Sequence, residues 1–388
     1  MAASTDNPFR IGEHVSGYHF ANRDEELARI RSAIRTGSTL LVYGPRRMGK
    51  SSTIINAANL ARTSKPKPII VSVDVSTATN LYDVSARLLR SLYTETRWLK
   101  LRLEDILGGL APRVSVTLDE HGGPPSITFG LDRRTATEQE RQRAFESVIQ
   151  RFAHISKDTN RQVAIVLDEF QAVSRFAGET SEWHLRDVIQ RYSDLAFICA
   201  GSQESLIHDL IGPKRAFYKM FELLPLGPID PTFFANWLEE RLARASDVSS
   251  GVGLELLRLA GPRTQDVIQV ARQLYFRALT VDRRIEPADV SLALDDVVRS
   301  ETPLLRSLWN DLSAQQQDVL RVIALDVDQL YSAEVRDQYA LPGTSSISKA
   351  VDTLTARGLV IKDSERIEFD SPFFRTWVRR EVAPDLGL

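Results

Sequence analysis

The chain has 388 residues, 26% of them charged and 43% hydrophobic, with a formal net charge of −2. That length sets two or three domains as the expectation, the apolar fraction suffices for sizeable cores, and the balanced charge excludes a global basic field aimed at nucleic acid or a membrane surface. One cysteine, Cys199, rules out a disulfide within the chain and reads as a small buried hydrophobe; no apolar run approaches bilayer length, and the first residues show no signal-peptide pattern, so a cytoplasmic location without membrane partners is expected.

Residues 1–22 read as irregular up to a helix start. Asn22 with Glu25 three residues on has the form of a capping box, and Leu27, Ile30 and Ile34 then fall on one helical face that ends near Gly37. A strand at 39–43 follows. It runs into Gly44-Pro45-Arg46-Arg47-Met48-Gly49-Lys50-Ser51, which has the phosphate-loop pattern G-x-x-x-x-G-K-[ST], and a helix pattern continues from Ser52 to residue 61. In that strand–loop–helix context each residue type has a task. Gly44 allows the sharp exit from the strand, and Gly49 lets the backbone approach phosphate oxygens. The N–H groups of Arg46, Arg47 and Met48 and on into Ser52 surround an anion site at a helix N-terminus, with Pro45 contributing shape only. Lys50 reaches the β and γ phosphates, and Ser51 offers a hydroxyl to Mg²⁺. The competing structural reading is a glycine-rich turn with an exposed lysine.

A second buried strand reads at 68–75 and a helix at 81–98. Alternating residues at 114–118 and 126–129, around His121-Gly122-Gly123-Pro124-Pro125, predict a β-hairpin inserted at about 113–130. A polar helix at about 137–157 leads to the apolar run 163–167, a strand buried on both faces, and 195–200 is another. Strands alternating with helices over 38–228 predict a three-layer αβα core with a parallel sheet.

The strand ending at Leu167 runs into Asp168-Glu169. A carboxylate at the end of a neighbouring parallel strand lies beside the phosphate loop, so Asp168 is expected to hold Mg²⁺ and Glu169 to orient or deprotonate the attacking water. Acidic capping of a following helix is the bland alternative. Ser202 ends the next strand and is expected either to face the γ phosphate or to cap a helix at 204–211. Arg215, in Pro213-Lys214-Arg215-Ala216, is read either as a cation for a neighbouring subunit's site in a homo-oligomer or as a surface arginine. Arg263, in Ala260-Gly261-Pro262-Arg263, opens a later helix from which it would reach nucleotide phosphates; a charged first helical turn needs no ligand. The six histidines are scattered without ligand spacing, so no metal other than Mg²⁺ is expected.

From residue 231 helical patterns dominate, at 231–245, 252–259, 264–281 and 287–298. Domain boundaries are therefore placed to give a core at 1–229, an all-α lid at 230–300 and a third domain at 301–388. In the third, Ser313 caps a helix carrying Val319, Leu320 and Ile323, short helices follow at 332–339 and 345–357, and Gly358 ends the last before strands at 359–362 and 366–369. That order is the winged-helix layout. Residues 312–388 hold nine Lys and Arg against twelve Asp and Glu. Duplex DNA binding would thus need segregated cations, with Lys349, Lys362, Arg366, Arg375, Arg379 and Arg380 as the candidates. Docking of a protein partner stands beside it.

The assembled order resembles the archaeal-type ATPases with bacterial members, within the STAND and AAA+ P-loop ATPases and akin to origin-recognition initiators. The carriers are Phe20-Ala21-Asn22-Arg23-Asp24-Glu25-Glu26-Leu27, the phosphate loop with its double arginine, Val166-Leu167-Asp168-Glu169-Phe170-Gln171, Gly201-Ser202, Leu224-Pro225-Leu226-Gly227-Pro228-Ile229 and the terminal winged helix ending Asp370-Ser371-Pro372-Phe373-Phe374-Arg375-Thr376-Trp377. The resemblance implies ATP as the nucleotide, an adenine near residues 10–23, and an ATPase switch; an ATP-dependent DNA-binding initiator or loader, and a nucleotide-binding scaffold with little hydrolysis, are its alternatives. Many relatives carry Gly-Gly-x-Pro where this chain has Ala260-Gly261-Pro262-Arg263, which is closer to the initiator pattern, in which the arginine senses nucleotide.

Overall fold

The computed structural model describes residues 7–96, 114–117, 126–129, 136–176, 179–202, 210–281, 283–327, 329–362 and 366–382. The chain divides into two compact units, one spanning His14–Gly227 and the other combining Met1–Glu13 with Pro228–Leu388.

The α/β unit contains α1 (Asp24–Thr36), β1 (Thr39–Tyr43), α2 (Lys50–Ala61), β2 (Ile69–Asp74), α3 (Leu81–Thr96), the hairpin β3 (Val114–Thr117) and β4 (Ser126–Phe129), α4 (Glu138–Thr159), β5 (Val163–Asp168), α5 (Glu179–Arg191), β6 (Ala196–Gly201) and β7 (Glu222–Pro225). Five strands form a parallel sheet in the order β2-β5-β6-β1-β7. The period of two sorts its residues between two cores. Leu41, Val71, Ile165, Phe197 and Cys199 join α3, α4 and α5 on one face. Leu40, Val42, Ile70, Val166 and Ile198 join α1 and α2 on the other. Every residue of β6 is buried, as expected for a strand covered on both faces. Burial pushes the Cys199 thiol far up, so it behaves as a small hydrophobe.

The strand order corrects one expectation. The strand that ends at Asp168 does not neighbour the phosphate-loop strand: β6 lies between β5 and β1. A second correction concerns α1. Asn22 is not its cap; the helix starts at Asp24 with Arg23 in the N-cap position and no side-chain capping bond. The Arg23 side chain goes instead to the carbonyls of Met48 and Gly227. The capping box operates in α4, where Thr137 and Glu140 bond reciprocally.

The hairpin expected within 113–130 is present as β3 paired antiparallel with β4, Val114 opposite Phe129. Its loop at 118–125 and most of the helix expected at 204–211 lie outside the described residues. The strand read near Leu224 occupies Glu222–Pro225.

The second unit holds α6 (Pro231–Leu242), α7 (Val252–Ala260), α8 (Thr264–Ala278), α9 (Pro287–Asn310), α10 (Ala314–Ala324), α11 (Ala333–Gln338), α12 (Thr344–Ala356), β8 (Val360–Lys362), β9 (Ile367–Phe369) and α13 (Pro372–Trp377). The expected boundary at 300/301 falls inside α9, which runs across it without interruption, so the helical segment and the winged helix share one element. Trp309 near its end meets Trp377 edge-on, 6.1 Å between centroids. The N-terminal segment also belongs to this unit. Phe9 is fully buried between Trp237 and Tyr275, while Asn7 and Phe9 exchange hydrogen bonds with Arg272. Among the described residues no helix is long and apolar enough to cross a membrane.

Candidate nucleotide site

The phosphate loop leaves β1 at Gly44, whose left-handed φ of 150° and position against β7 leave no room for a side chain: a Cβ would lie 2.4 Å from the Leu226 carbonyl oxygen. The loop re-enters a helix at Gly49, φ 87°, where only conformation demands glycine because no atom lies within 4 Å of an added Cβ. Arg47 is also left-handed, φ 66°. Met48 is buried in the sheet core, and Arg46 is exposed. No side chain caps the start of α2, so its first N–H groups and positive dipole end point out of the loop, as an anion site requires.

Lys50 is buried and curls back over the loop, donating from Nζ to the carbonyls of Gly44 at 2.9 Å and Pro45 at 2.6 Å. Ser51 Oγ donates to Asp168 Oδ2 at 2.6 Å. Ser52 turns the other way: its hydroxyl accepts the Val15 N–H at 3.3 Å, while Asn56 Nδ2 donates to the Val15 carbonyl at 2.8 Å, laying the segment before α1 along α2.

Burial pushes the Asp168 carboxyl above the usual aspartate range. Bonds from the Ser51 hydroxyl and the Glu169 N–H act against that, and the charges of Glu169 and Asp74 add to it. Asp74 stands in register with Asp168 on β2. Glu169 adopts a left-handed conformation, φ 54° and ψ 42°, a non-glycine geometry of the kind retained where surrounding contacts over-determine it. Its Oε2 accepts from Ser202 Oγ at 2.8 Å and from Gln171 Nε2 at 2.5 Å. The strand order explains the meeting. Because β6 lies between β5 and β1, Ser202 beyond its end is delivered beside Glu169. The segment after Glu169 is a 3₁₀ turn, Phe170–Arg175, pinned by Phe170 against Phe217 and Phe221.

The donors fit Mg²⁺. A hydroxyl and a carboxylate oxygen 2.6 Å apart are hard ligands on one side of a prospective ion, and among the described residues no group of three or more His, Cys, Asp and Glu forms a protein cage. That is the pattern of an ion that keeps several waters and shares the substrate's phosphates.

Two expected residues are engaged elsewhere. Arg215 forks onto both oxygens of Glu182, at 3.2 and 3.0 Å, and reaches Glu179 at 3.2 Å. The Glu182 side chain is only 2% exposed, and burial raises its carboxyl while Arg215 lowers it. Arg263, also buried, pairs at 2.7 Å with Asp370 of the winged helix, within the second unit.

Gln171 and Arg23 were legible only as parts of a pattern. Arg23, 5% exposed, donates to the carbonyls of Met48 at 3.0 Å and Gly227 at 2.9 Å, and to Glu26 at 3.1 Å. Burial lowers the Arg23 pKa, and the bond and charge of Glu26 oppose it.

A parallel sheet with this loop after β1, and a hydroxyl–carboxylate pair beside it, defines a P-loop nucleotide-binding fold. The chain belongs to the family described as an ATPase domain predominantly from Archaea, whose model matches residues 20–220, and residues 304–380 match a probable winged helix domain. Among solved structures the fold is similar to a Walker-type ATPase of Pyrococcus abyssi, at 16% identity and TM-score 0.63, covering 96% of this chain and 99% of that one. It is also similar to the ORC2 protein of Aeropyrum pernix. In the ADPNP–ADP complexes the identity is 15%, the TM-score 0.56 and the coverage 94% and 93%. In the ADP form they are 14%, 0.52 and 98% of both chains. At these identities the likeness is one of fold. No curated protein matches the chain.

Proposed function

We propose that this chain binds and hydrolyses Mg-ATP and uses the nucleotide as a switch, with the winged helix docking on a partner. The observation that carries the reading is the convergence of Ser51, Asp168, Glu169 and Ser202 beside the phosphate loop. The loop amides and α2 hold the phosphates. Lys50 exchanges its two loop carbonyls for the β and γ phosphates. Ser51 and Asp168 would hold Mg²⁺, which would supply charge neutralisation for the phosphates. Glu169 orients a water and takes its proton as the water oxygen bonds the γ phosphorus and the bridging bond to the β phosphate breaks, giving ADP and inorganic phosphate. The test is the steady-state rate per subunit across protein concentration, against Lys50→Ala. A rate equal to that variant despite nucleotide binding refutes hydrolysis and favours the scaffold reading. A rate that rises with concentration supports a homo-oligomer, in which a trans-acting Arg215 would first have to release Glu182.

The partner of the winged helix is a protein or duplex DNA. The cationic face is thinner than the sequence implied. Arg375 and Arg379 reach Asp326, Arg380 pairs with Asp295, and Lys362 lies 3.7 Å from Asp352. Lys349 on α12 and Arg366 at the wing are exposed. Salt-dependent duplex binding that is lost in Lys349→Glu with Arg366→Glu supports DNA; binding indifferent to both changes favours a protein partner.

A further inference from the structure

We infer that Gln171 is a positioning residue for hydrolysis, holding the Glu169 carboxylate by one oxygen in a closed three-member ring with Ser202; the inference rests on the hydrolytic reading of this site. Three hydrogen bonds make the ring. Ser202 Oγ donates to Glu169 Oε2 at 2.8 Å, Gln171 Nε2 donates to the same oxygen at 2.5 Å, and Gln171 Nε2 also reaches Ser202 Oγ at 3.4 Å. Both donors take Oε2, and Oε1 carries none of these bonds. The carboxylate is thus fixed in rotation with one oxygen left to face a water.

The setting of Gln171 separates this from ordinary packing. It is 6% exposed and sits between Phe170 and Ala172, which are 0% and 3% exposed, in a turn otherwise built for the apolar core. Leu or Met would fill that volume without burying an amide. Instead the Oε1 of Gln171 is buried and has no hydrogen-bond partner among the described residues, a desolvation cost that a purely structural side chain would not need to carry. Turning the amide over cannot relieve it, because Oε1 would then stand 2.5 Å from a carboxylate oxygen that has no proton to donate. The donor orientation is therefore set by Glu169. The backbone supports the same conclusion. Glu169 is left-handed and Gln171 lies in the 3₁₀ turn it opens, so the side chains fold toward each other two residues apart.

A group that acts only by orienting the base should change kcat and spare nucleotide affinity. Displacing a reacting group by about 1 Å costs on the order of 100-fold. We expect Gln171→Leu and Gln171→Met to lower kcat by about 10–100-fold, with the Kd for a fluorescent ADP analogue and the melting temperature close to those of the unaltered chain. In a double-mutant cycle, adding Gln171→Leu to Glu169→Gln should give no further loss, because the residue acts through Glu169. Full activity in both Gln171 variants would overturn the positioning role alone. So would a loss of nucleotide binding parallel to the loss of rate, or a further drop in the double variant, since either would make Gln171 a packing residue. Hydrolysis by the unaltered chain no faster than by Lys50→Ala would overturn the hydrolytic reading itself, and the positioning role with it.

Discussion

Ser51 and Asp168 share a 2.6 Å hydrogen bond although the strands that lead to them, β1 and β5, are separated by β6. The bond spans 117 residues of sequence and brings together the only two side chains proposed to touch the metal. Removing the hydroxyl leaves the acid in place. Ser51→Ala is therefore expected to keep the fold, to weaken the Mg²⁺ dependence of ATP binding, and to lower turnover by on the order of 100-fold. Nucleotide titrations with and without Mg²⁺ check this; an unchanged Mg²⁺ dependence would remove Ser51 from the metal site.

Glu169→Gln keeps the size of the side chain and removes the base. General-base catalysis contributes about 10²–10⁴-fold, so turnover should fall by that order while ATP stays bound. Single-turnover quenching after ATP mixing would show a long-lived, unhydrolysed complex.

Arg215 is expected to matter for stability in a pH-dependent way. It neutralises Glu182, whose side chain is nearly fully buried. Burial holds the folded-state carboxyl of Glu182 above its ordinary value, so its contribution to stability is fully present at low pH and is lost as pH rises through the raised value. Arg215→Ala removes the cation that limits this loss. The variant should match the unaltered chain most closely near pH 4 and fall behind toward pH 7, by about 1–3 kcal/mol, the cost of leaving a buried acceptor unsatisfied. Melting curves across that range check the trend, and Glu182→Gln should suppress it. A deficit independent of pH would show that Arg215 stabilises by packing.

Arg23→Ala should be among the more damaging changes in the α/β unit. It strands two carbonyls, of Met48 and Gly227, that now accept from a buried guanidinium. At about 1.5–3 kcal/mol for each bond to a charged group, a loss near 3 kcal/mol is expected, roughly 6–12 °C in Tm for a unit of this size. Nucleotide affinity should fall with it, since the Met48 carbonyl lies in the phosphate loop. Arg23→Lys, with one point of contact in place of a fork, should fall between. Calorimetry with and without ADP separates the two effects.

Much of the architecture was legible because it is written locally. The loop from Gly44 to Ser51 needs its residue types at fixed spacing, strands buried on two faces must be apolar throughout, and Ser313 and Ser332 begin helices with side chains that cap them. What was hidden is non-local. Nothing in the run from Leu195 to Ala200 says that β6 inserts between β1 and β5, and that placement alone brings Ser202 to Glu169. Arg23 looked like part of a helix start because its partners lie 25 and 204 residues away. Gln171 was visible as a letter in a motif, but its role depends on a serine 31 residues on. The loops around Arg215 and Arg263 fit cations in want of phosphate as well as ordinary surface or helix-start arginines, and could not show the acidic partners 33 and 107 residues distant that hold them. The terminal arginines are likewise engaged, by Asp326 in the turn after α10 and by Asp295 on α9.

The burial of Phe9 between Trp237 and Tyr275 has a consequence for biosynthesis. The segment precedes the α/β unit in the chain, yet its binding place is complete only when Tyr275 has left the ribosome. The α/β unit, closed by residue 227, can fold while that segment still waits in solvent. Vectorial synthesis therefore sets an order, with the segment around Phe9 docking only after the α/β unit is complete. The second unit is consequently not a continuous stretch of chain: a polypeptide begun at residue 228 would leave an aromatic slot to be filled by a peptide supplied in trans.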